Sequence, residues 1–217
     1  MNVLIFANGD EPAQGWEWVR PYLSPTPVLI AADGGARHLE RLGLAPDILI
    51  GDLDSLDNEL RQTFIEQGVE LITAPQEKDE SDFELALKYA ALNYNMSILV
   101  FGATGGRLDH IISNMLLLSL PELSGLDVVL LDPHQRAWMV EHQTTIRGEP
   151  GDLVSLLPIW GDVQIQRTNG LKWPLKDEWL QPGPARGVSN QLIGNEANVT
   201  LSTGRLLCVH SDWNWKR

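Results

Sequence analysis

The chain has 217 residues, of which 43% are hydrophobic, and it carries a formal net charge of −13 with an isoelectric point near 4.7. This length allows one large or two small globular domains, and the acidic balance argues against a nucleic-acid-binding protein, which needs a basic surface. Its one cysteine, Cys208, excludes an internal disulfide. Because this usage fits a reducing compartment, we expect a cytoplasmic protein.

The first part of the chain alternates between apolar runs and helix-like segments. The predicted strands are Val3–Ala7, Val28–Ala32, Ile48–Ile50, Glu70–Thr73, Ile98–Phe101 and Val128–Asp132. The predicted helices are Gly15–Leu23, Ala36–Leu42, Asn58–Gln67, Ser81–Asn93 and Leu108–Leu118. This order predicts an α/β fold, a Rossmann-like doubly wound parallel sheet with helices on both faces. The first strand has no basic segment before it, so it does not resemble a signal peptide, and no apolar run is long enough to span a membrane.

From His134 onward the helical pattern stops and short strands separated by Gly and Pro follow. The predicted strands are Arg136–Glu141, Gln143–Ile146, Leu153–Leu157, Val163–Arg167, Val188–Gln191, Ala197–Leu201 and Leu206–His210. This pattern indicates an all-β sandwich. We therefore predict an α/β domain over residues 1–133 and a C-terminal β-sandwich domain over residues 134–217, with the boundary at Asp132-Pro133.

Paired carboxylates follow the third predicted strand, in the stretch Gly51-Asp52-Leu53-Asp54-Ser55. In an extended chain, alternation places Asp52 and Asp54 on the same side. Two carboxylates held close repel each other, which favours a proton or a cation between them. Mg²⁺ suits a site made of oxygen ligands and usually accompanies phosphates. A solvated loop in which Asp54 or Ser55 caps the next helix is the alternative.

Three further motifs stand where a predicted strand ends and a helix begins. In Ala32-Asp33-Gly34-Gly35-Ala36 the glycines let the backbone approach a ligand, and Asp33 is suited to bind a sugar or to help at a metal; a plain turn is the alternative. In Lys78-Asp79-Glu80-Ser81-Asp82, Ser81 and Glu84 predict a capping box. A helix start here gives a structural reason for a carboxylate at Asp82, which falls in the first turn. It gives no structural reason for Lys78 and Asp79, which precede the helix.

The last of these motifs is Gly102-Ala103-Thr104-Gly105-Gly106-Arg107-Leu108-Asp109-His110. Gly105 and Gly106 supply flexible backbone, and Arg107 supplies a planar fork suited to phosphate. The stretch lacks the Gly-Lys-Ser/Thr ending of a Walker A loop. We interpret His110 as a hydrogen-bonding residue of the helix start. Since acids, one Lys, one Arg and glycine turns follow four strands, the sequence predicts a Mg²⁺-dependent nucleotide site.

These motifs, in their order and spacing, resemble the thiamine pyrophosphokinase family. In the second domain, Gly170-Leu171-Lys172-Trp173-Pro174-Leu175 and Val188-Ser189-Asn190 are also similar to that family. The similarity covers nearly the whole chain, with Ser81 where the family commonly has Thr and with an unmatched tail, Ser211–Arg217. It implies transfer of the pyrophosphoryl group of ATP to the hydroxyethyl oxygen of thiamine, with release of AMP, by a homodimer.

The resemblance also implies roles for individual residues. Those implied to be catalytic are Asp52, Asp54, Asp82 and Arg107, and the implied Mg²⁺ ligands are Asp52, Asp54 and Asp82. Those implied to bind ATP are Asp33, Gly34, Gly35, Lys78, Asp79, Gly105, Gly106, Arg107 and Asp109. Those implied to bind thiamine, at the dimer interface, are Ser189, Asn190 and Trp173. For Trp173, packing is an equally good explanation in a chain with eight tryptophans.

Two other functions stay open at this point. One is a pyrophosphokinase that acts on another heterocyclic alcohol, such as a pterin, on the same scaffold. The other is a non-catalytic sensor of nucleotide or thiamine. The matches at Ser189-Asn190 and Gly170–Trp173 argue against the first, and the intact set of acids with Lys78 and Arg107 argues against the second.

Overall fold

The computed structural model describes residues 2–53, 56, 58–75 and 77–212. By its contacts the chain divides into two compact units, Met1–Pro133 and His134–Arg217. The first is an α/β unit, and the regular elements described in the second are β-strands, as the sequence predicts. No helix in the described part of the chain is both long and apolar enough to cross a membrane.

The α/β unit is built on six parallel strands. They are β1 (Asn2–Phe6), β2 (Val28–Ala32), β3 (Ile48–Gly51), β4 (Glu70–Thr73), β5 (Ser97–Phe101) and β6 (Val128–Asp132). They pair in the order β6-β5-β1-β2-β3-β4. The chain therefore moves outward from β1 to β4 and then returns to place β5 beside β1. This reversal makes a crevice beyond the carboxyl ends of β1 and β5, where ligands bind in such sheets.

Four α-helices accompany these strands. They are α1 (Ala36–Arg41), α2 (Asn58–Glu66), α3 (Asp82–Asn93) and α4 (Leu108–Leu117). The segment predicted as a helix over Gly15–Leu23 forms a 3₁₀ helix over Glu17–Leu23 instead. Pro21 lies inside it, and a proline there lacks the N–H that an α-helix would use.

The core of the α/β unit centres on β1, whose residues from Val3 to Phe6 are fully buried. Strands covered on both faces are continuously apolar, because neither face meets water. The rings of Phe6 and Phe101 stack with centroids 5.1 Å apart, so the two strands that border the crevice are also joined by side-chain packing.

The second unit consists of two antiparallel sheets. Its strands are β7 (Gln135–Val140), β8 (Gln143–Arg147), β9 (Leu153–Leu157), β10 (Val163–Asn169), β11 (Lys176–Leu180), β12 (Asn190–Gln191), β13 (Glu196–Thr203) and β14 (Leu206–Ser211). One sheet has the order β12-β9-β14-β7 and the other β11-β10-β13-β8. Residues from both, such as Val154, Ile165 and Val199, share one buried core, which makes this unit a sandwich.

One strand of this unit, β11, is absent from the sequence prediction. Its sequence, Lys-Asp-Glu-Trp-Leu, is mostly polar, and β11 pairs only with β10 at the edge of its sheet. An edge strand buries little of its surface, so it lacks the apolar signal from which strands are predicted.

Candidate active site

A cleft of about 520 Å³ opens beyond the carboxyl ends of the parallel strands. The loop after β1, the end of β2 and the first turns of α3 and α4 line it. Among the predicted site residues, those lining it are Asp33, Asp82, Gly105, Gly106 and Arg107. Residues of the Ala32–Ala36, Lys78–Asp82 and Gly102–His110 motifs are far apart in sequence. The fold therefore brings them together at this cleft.

Three carboxylates meet at this edge of the sheet. Asp33 follows β2 directly, Asp52 follows β3, and Asp82 is the first residue of α3. Each offers an oxygen atom within 4.8 Å of the other two. The structure thus joins the predicted metal ligands Asp52 and Asp82 to Asp33, for which the sequence left open a sugar contact or a supporting role at the metal. The remaining predicted ligand, Asp54, lies outside the described residues.

The acid cluster has the features of a cation site. Asp33 is only 8% exposed, and its buried Oδ1 atom has no hydrogen-bond partner among the described residues. A buried oxygen left in this state costs stability unless a ligand satisfies it. Gly51 allows the acids to come close, because a Cβ atom there would lie 3.1 Å from both Asp33 Cβ and Asp82 Cγ. Oxygen-only ligands of this kind fit Mg²⁺.

Lys78 provides the positive charge beside these acids. Its Nζ atom lies 2.8 Å from Asp82 Oδ1. The hydrogen bond with Asp82 raises the pKa of Lys78, and the charges of Asp82, Asp52 and Asp33 act in the same direction. Lys78 therefore keeps its proton at neutral pH and can offset part of the cluster's charge. Its neighbour Asp79 is exposed.

The start of α3 places Asp82 and is built as predicted. The Ser81 side chain accepts a hydrogen bond from the Glu84 N–H at 3.1 Å, which caps the first turn. Asp82 then lies at the positive end of the helix, where a carboxylate is favoured. The cap therefore fixes the helix start and holds the Asp82 carboxylate close to the ends of β2 and β3.

Arg107 precedes α4 and is held by Asp109. The Arg107 Nη2 and Nε atoms lie 2.6 and 3.2 Å from the two carboxylate oxygens of Asp109. This hydrogen bond raises the pKa of Arg107 and lowers that of Asp109. Both side chains are exposed, so the guanidinium is orientated at the cleft by its neighbour and stays accessible to a ligand.

The glycines of the site divide into two kinds. Gly105 and Gly106 have positive φ angles of 88° and 76° and turn the loop into the cleft. Gly34 and Gly35 are buried instead, and a Cβ atom at Gly35 would lie 1.9 Å from the carbonyl oxygen of Phe6. A Cβ atom at Gly34 would lie 2.2 Å from Asn8 Oδ1. Gly35 thus packs against the end of β1, and Gly34 packs against the loop that follows it.

The loop after β1, Asn8-Gly9-Asp10, lines the cleft and was not among the predicted site residues. The Gly9 N–H donates to the Gly102 carbonyl at 2.8 Å. The buried His38 donates from Nε2 to the Gly9 carbonyl at 2.9 Å, and burial lowers the pKa of His38. The signal that could have identified this loop is its position, since polar residues directly after a buried strand lie at the ligand edge of such a sheet.

Two of the predicted thiamine-binding residues contact each other in the β unit. The Asn190 Oδ1 atom accepts a hydrogen bond from the Trp173 N–H at 3.0 Å, and its Nδ2 atom donates to the Trp173 carbonyl at 2.6 Å. Ser189 adjoins them with a positive φ of 57°. The indole of Trp173 is 48% exposed, with Lys172 Nζ 4.7 Å from its ring centroid. Asn190 therefore holds the backbone that presents this indole.

Comparison with known proteins assigns the chain to a family. A family model described as the catalytic domain of thiamin pyrophosphokinase matches residues 19–130, and one described as its vitamin B1 binding domain matches residues 141–208. The thiamine pyrophosphokinase of Bacillus subtilis is 27% identical over 192 residues, 88% of this chain and 90% of that protein. Thiamine pyrophosphokinase 1 of Arabidopsis thaliana is 28% identical over 201 residues, 80% and 73% of the two chains.

Solved structures agree with these sequence matches. The crystal structure of the Bacillus subtilis thiamine pyrophosphokinase has a TM-score of 0.85 at 26% identity and covers 98% of this chain and 99% of its own. That of the Geobacillus thermodenitrificans enzyme has a TM-score of 0.83 at 27% identity, with 98% of each chain covered. Because the family models match both units and the solved structures share the whole fold, the chain belongs to the thiamin pyrophosphokinase family.

Proposed function

We propose that the acidic cleft of the α/β unit is the active site of this family member. The reaction is the ATP-dependent transfer of a pyrophosphoryl group to thiamine, which gives thiamine diphosphate. The observation that supports the location best is the cluster of Asp33, Asp52 and Asp82, with Lys78 beside it and a buried Asp33 oxygen that has no partner within the described ranges. Such a cluster suits a cation that accompanies phosphates.

Mg²⁺ is the proposed metal, with Asp33, Asp52 and Asp82 as ligands. Asp54 stays a predicted ligand that lies outside the described residues. When bound, Mg²⁺ would offset charge on the phosphates of ATP. The residues of the chain would bring the cation and the phosphates together, because Gly51 admits the close approach of the acids and Ser81 fixes the helix start from which Asp82 projects.

The phosphates are proposed to bind between Lys78 and Arg107. Lys78 would exchange its ion pair with Asp82 for an ion pair with a phosphate when a cation offsets the charge of the acid cluster. Arg107 would donate hydrogen bonds from its planar guanidinium group to phosphate oxygens, and Asp109 would orientate that group. The positive φ angles of Gly105 and Gly106 turn their backbone toward the same cleft, and the other predicted ATP-binding residues are Asp33, Gly34, Gly35 and Asp79.

The thiamine hydroxyl is proposed to attack the β-phosphorus of ATP. The thiamine oxygen forms a bond to this phosphorus and its hydroxyl proton passes to solvent. The bond between this phosphorus and the oxygen that bridges to the α-phosphorus breaks, and AMP leaves with that oxygen. Trp173, Ser189 and Asn190 are the proposed thiamine contacts. Thiamine is a cationic aromatic molecule, so it could replace Lys172 on the exposed face of the Trp173 indole.

A homodimer in the cytoplasm is the proposed assembly and location. The outer face of α4 supports the dimer, because Leu108, Ile112 and Leu116 form one stripe with 71%, 52% and 43% of each residue exposed. An apolar helix face of this kind is typical of an interface. Light scattering should report twice 24.1 kDa for the chain and a smaller mass for Ile112→Glu. The matched control is Leu92→Glu, since Leu92 is a lone exposed leucine on α3.

The reaction is tested by separating the nucleotides after incubation with ATP, Mg²⁺ and thiamine. AMP that appears in step with thiamine diphosphate supports the proposal. ADP that appears with thiamine monophosphate would contradict the attack on the β-phosphorus. Replacing thiamine with a pterin alcohol tests the acceptor, and nucleotide or thiamine binding without any AMP would indicate a sensor.

A further inference from the structure

A second cluster of possible metal ligands lies in the β unit, where three neighbouring strands begin or end together. β14 ends at Ser211, beside the start of β7 and the start of β9. This register brings together one ligand atom each from Asp152, His210 and Asp212, all within 4.8 Å of one another. Asp152 and His210 are buried and Asp212 is exposed, so the cluster opens to solvent on one side.

A second histidine borders the exposed carboxylate. The Nδ1 atom of His134 lies 4.0 Å from Asp212 Oδ2, and the Asp212 N–H donates to the His134 carbonyl at 3.0 Å. The cluster therefore offers one imidazole and two carboxylates, with a second imidazole beside Asp212. This mixture of nitrogen and oxygen ligands suits Zn²⁺ and related transition metals, whereas Mg²⁺ prefers oxygen alone.

Gly148 packs closely against the buried ligand atoms. A Cβ atom at Gly148 would lie 2.4 Å from Asp152 Oδ2 and 2.6 Å from His210 Nε2. Gly148 has no positive φ angle that would require glycine. The close approach of the backbone to Asp152 and His210 is therefore what glycine permits here.

The buried pair alone does not account for the whole cluster. Asp152 Oδ2 lies 3.0 Å from His210 Nε2 and accepts the Glu149 N–H at 2.8 Å, which is a satisfied arrangement. Asp212 adds a second carboxylate close to the first, and like charges this near repel each other. The adjacent cation Arg136 donates to the Arg147 carbonyl and lies over the Trp138 ring at 5.6 Å, while its buried Nε atom has no hydrogen-bond partner among the described residues.

We propose that Asp152, His210 and Asp212, with His134 at the open side, bind one divalent transition metal ion of the Zn²⁺ type. The ion would tie the start of β7, the start of β9 and the end of β14 together. It is distinct from the proposed Mg²⁺ of the α/β unit both in place and in ligand chemistry.

The test is equilibrium dialysis of the chelator-treated full chain against Zn²⁺. All variants are made in an Asp52→Asn background, which weakens the acid cluster of the α/β unit as a competing site. We expect one Zn²⁺ per chain in the background protein and in the control His142→Gln, because His142 is an exposed histidine outside the cluster. His210→Gln and Asp212→Asn should lower the affinity at least about tenfold.

Asp212→Asn keeps the proposal testable if His210→Gln fails to fold, since Asp212 is exposed. Excess Mg²⁺ should not displace the bound Zn²⁺, and Co²⁺ should give visible absorption bands that Asp212→Asn removes. The proposal is overturned if the background protein binds no Zn²⁺, if both cluster variants bind it as tightly as His142→Gln, or if Mg²⁺ displaces it.

Discussion

The proposed ATP site and the proposed thiamine residues use their polar atoms in opposite ways. In the α/β unit, a buried oxygen of Asp33 has no partner among the described residues. In the β unit, the amide of Asn190 is engaged at both of its polar atoms, since Oδ1 accepts from the Trp173 and Gln191 N–H groups and Nδ2 donates to the Trp173 carbonyl. The first arrangement is incomplete without a ligand, and the second already has protein partners.

The backbone shows that the two regions are otherwise alike. Each contains a non-glycine residue in the left-handed region, Asp33 with φ of 46° and Ser189 with φ of 57°. Such residues are uncommon and cluster at functional sites. The comparison teaches that both regions contain a strained backbone position. They differ in their polar atoms, because an oxygen of Asp33 lacks a partner in the described part of the protein and can bind a ligand, whereas Asn190 uses its amide to position Trp173.

The largest effect is expected for Asp52→Asn, which removes one proposed metal ligand. Turnover should fall by at least about 100-fold, because several kcal/mol of charge stabilisation at the phosphates depends on the cation. AMP release measured across a Mg²⁺ titration checks this. Asp127→Asn, an exposed aspartate at a loop, should keep full activity; equal activity of both variants at limiting Mg²⁺ would contradict the metal role.

Asn190→Asp tests the other side of the comparison. It loses the donor to the Trp173 carbonyl inside a buried site, so the free energy of unfolding should fall by about 1–3 kcal/mol. KM for thiamine should rise while KM for ATP stays the same. Denaturant unfolding and steady-state kinetics measure the two effects, with the exposed Asn195→Asp as control. A change in KM for ATP alone would place Asn190 in a different role.

Arg107→Lys should lower kcat/KM for ATP roughly tenfold or more, because an ammonium cannot replace a planar fork that holds two phosphate oxygens. The matched control is Arg186→Lys, since Arg186 forms the same kind of two-atom pair with Glu178 in the β unit. Unchanged kinetics for Arg107→Lys would place the guanidinium outside the site.

Asp33→Asn should give the smallest effect on stability, and with the opposite sign to Asn190→Asp. Removing one of three crowded charges should raise the free energy of unfolding by about 0.5–2 kcal/mol, while Mg²⁺-dependent turnover falls. Thermal unfolding without Mg²⁺ measures the first and AMP release the second. A loss of stability would mean that Asp33 serves the fold rather than a ligand.

Most of the scaffold could be predicted from local patterns. Alternation of apolar runs with helical segments predicts the α/β unit, because each strand covered on both faces is apolar on its own. The Ser81 cap is equally local, since it joins residues three apart. Local patterns do not predict a strand that buries little surface, such as β11. They also predict an α-helix where the segment that contains Pro21 forms a 3₁₀ helix.

The sequence by itself determined which residue types stand at the end of each strand. It therefore predicted that acids, Lys78, Arg107 and glycine turns would meet at one edge of the parallel sheet. Only the tertiary structure decided which of them touch. It brought Asp33 into the acid cluster, added the Asn8-Gly9-Asp10 loop, and gave Gly34 and Gly35 a packing role. The physical reason is that strand order and side-chain contact depend on long-range packing, which local periodicity does not encode.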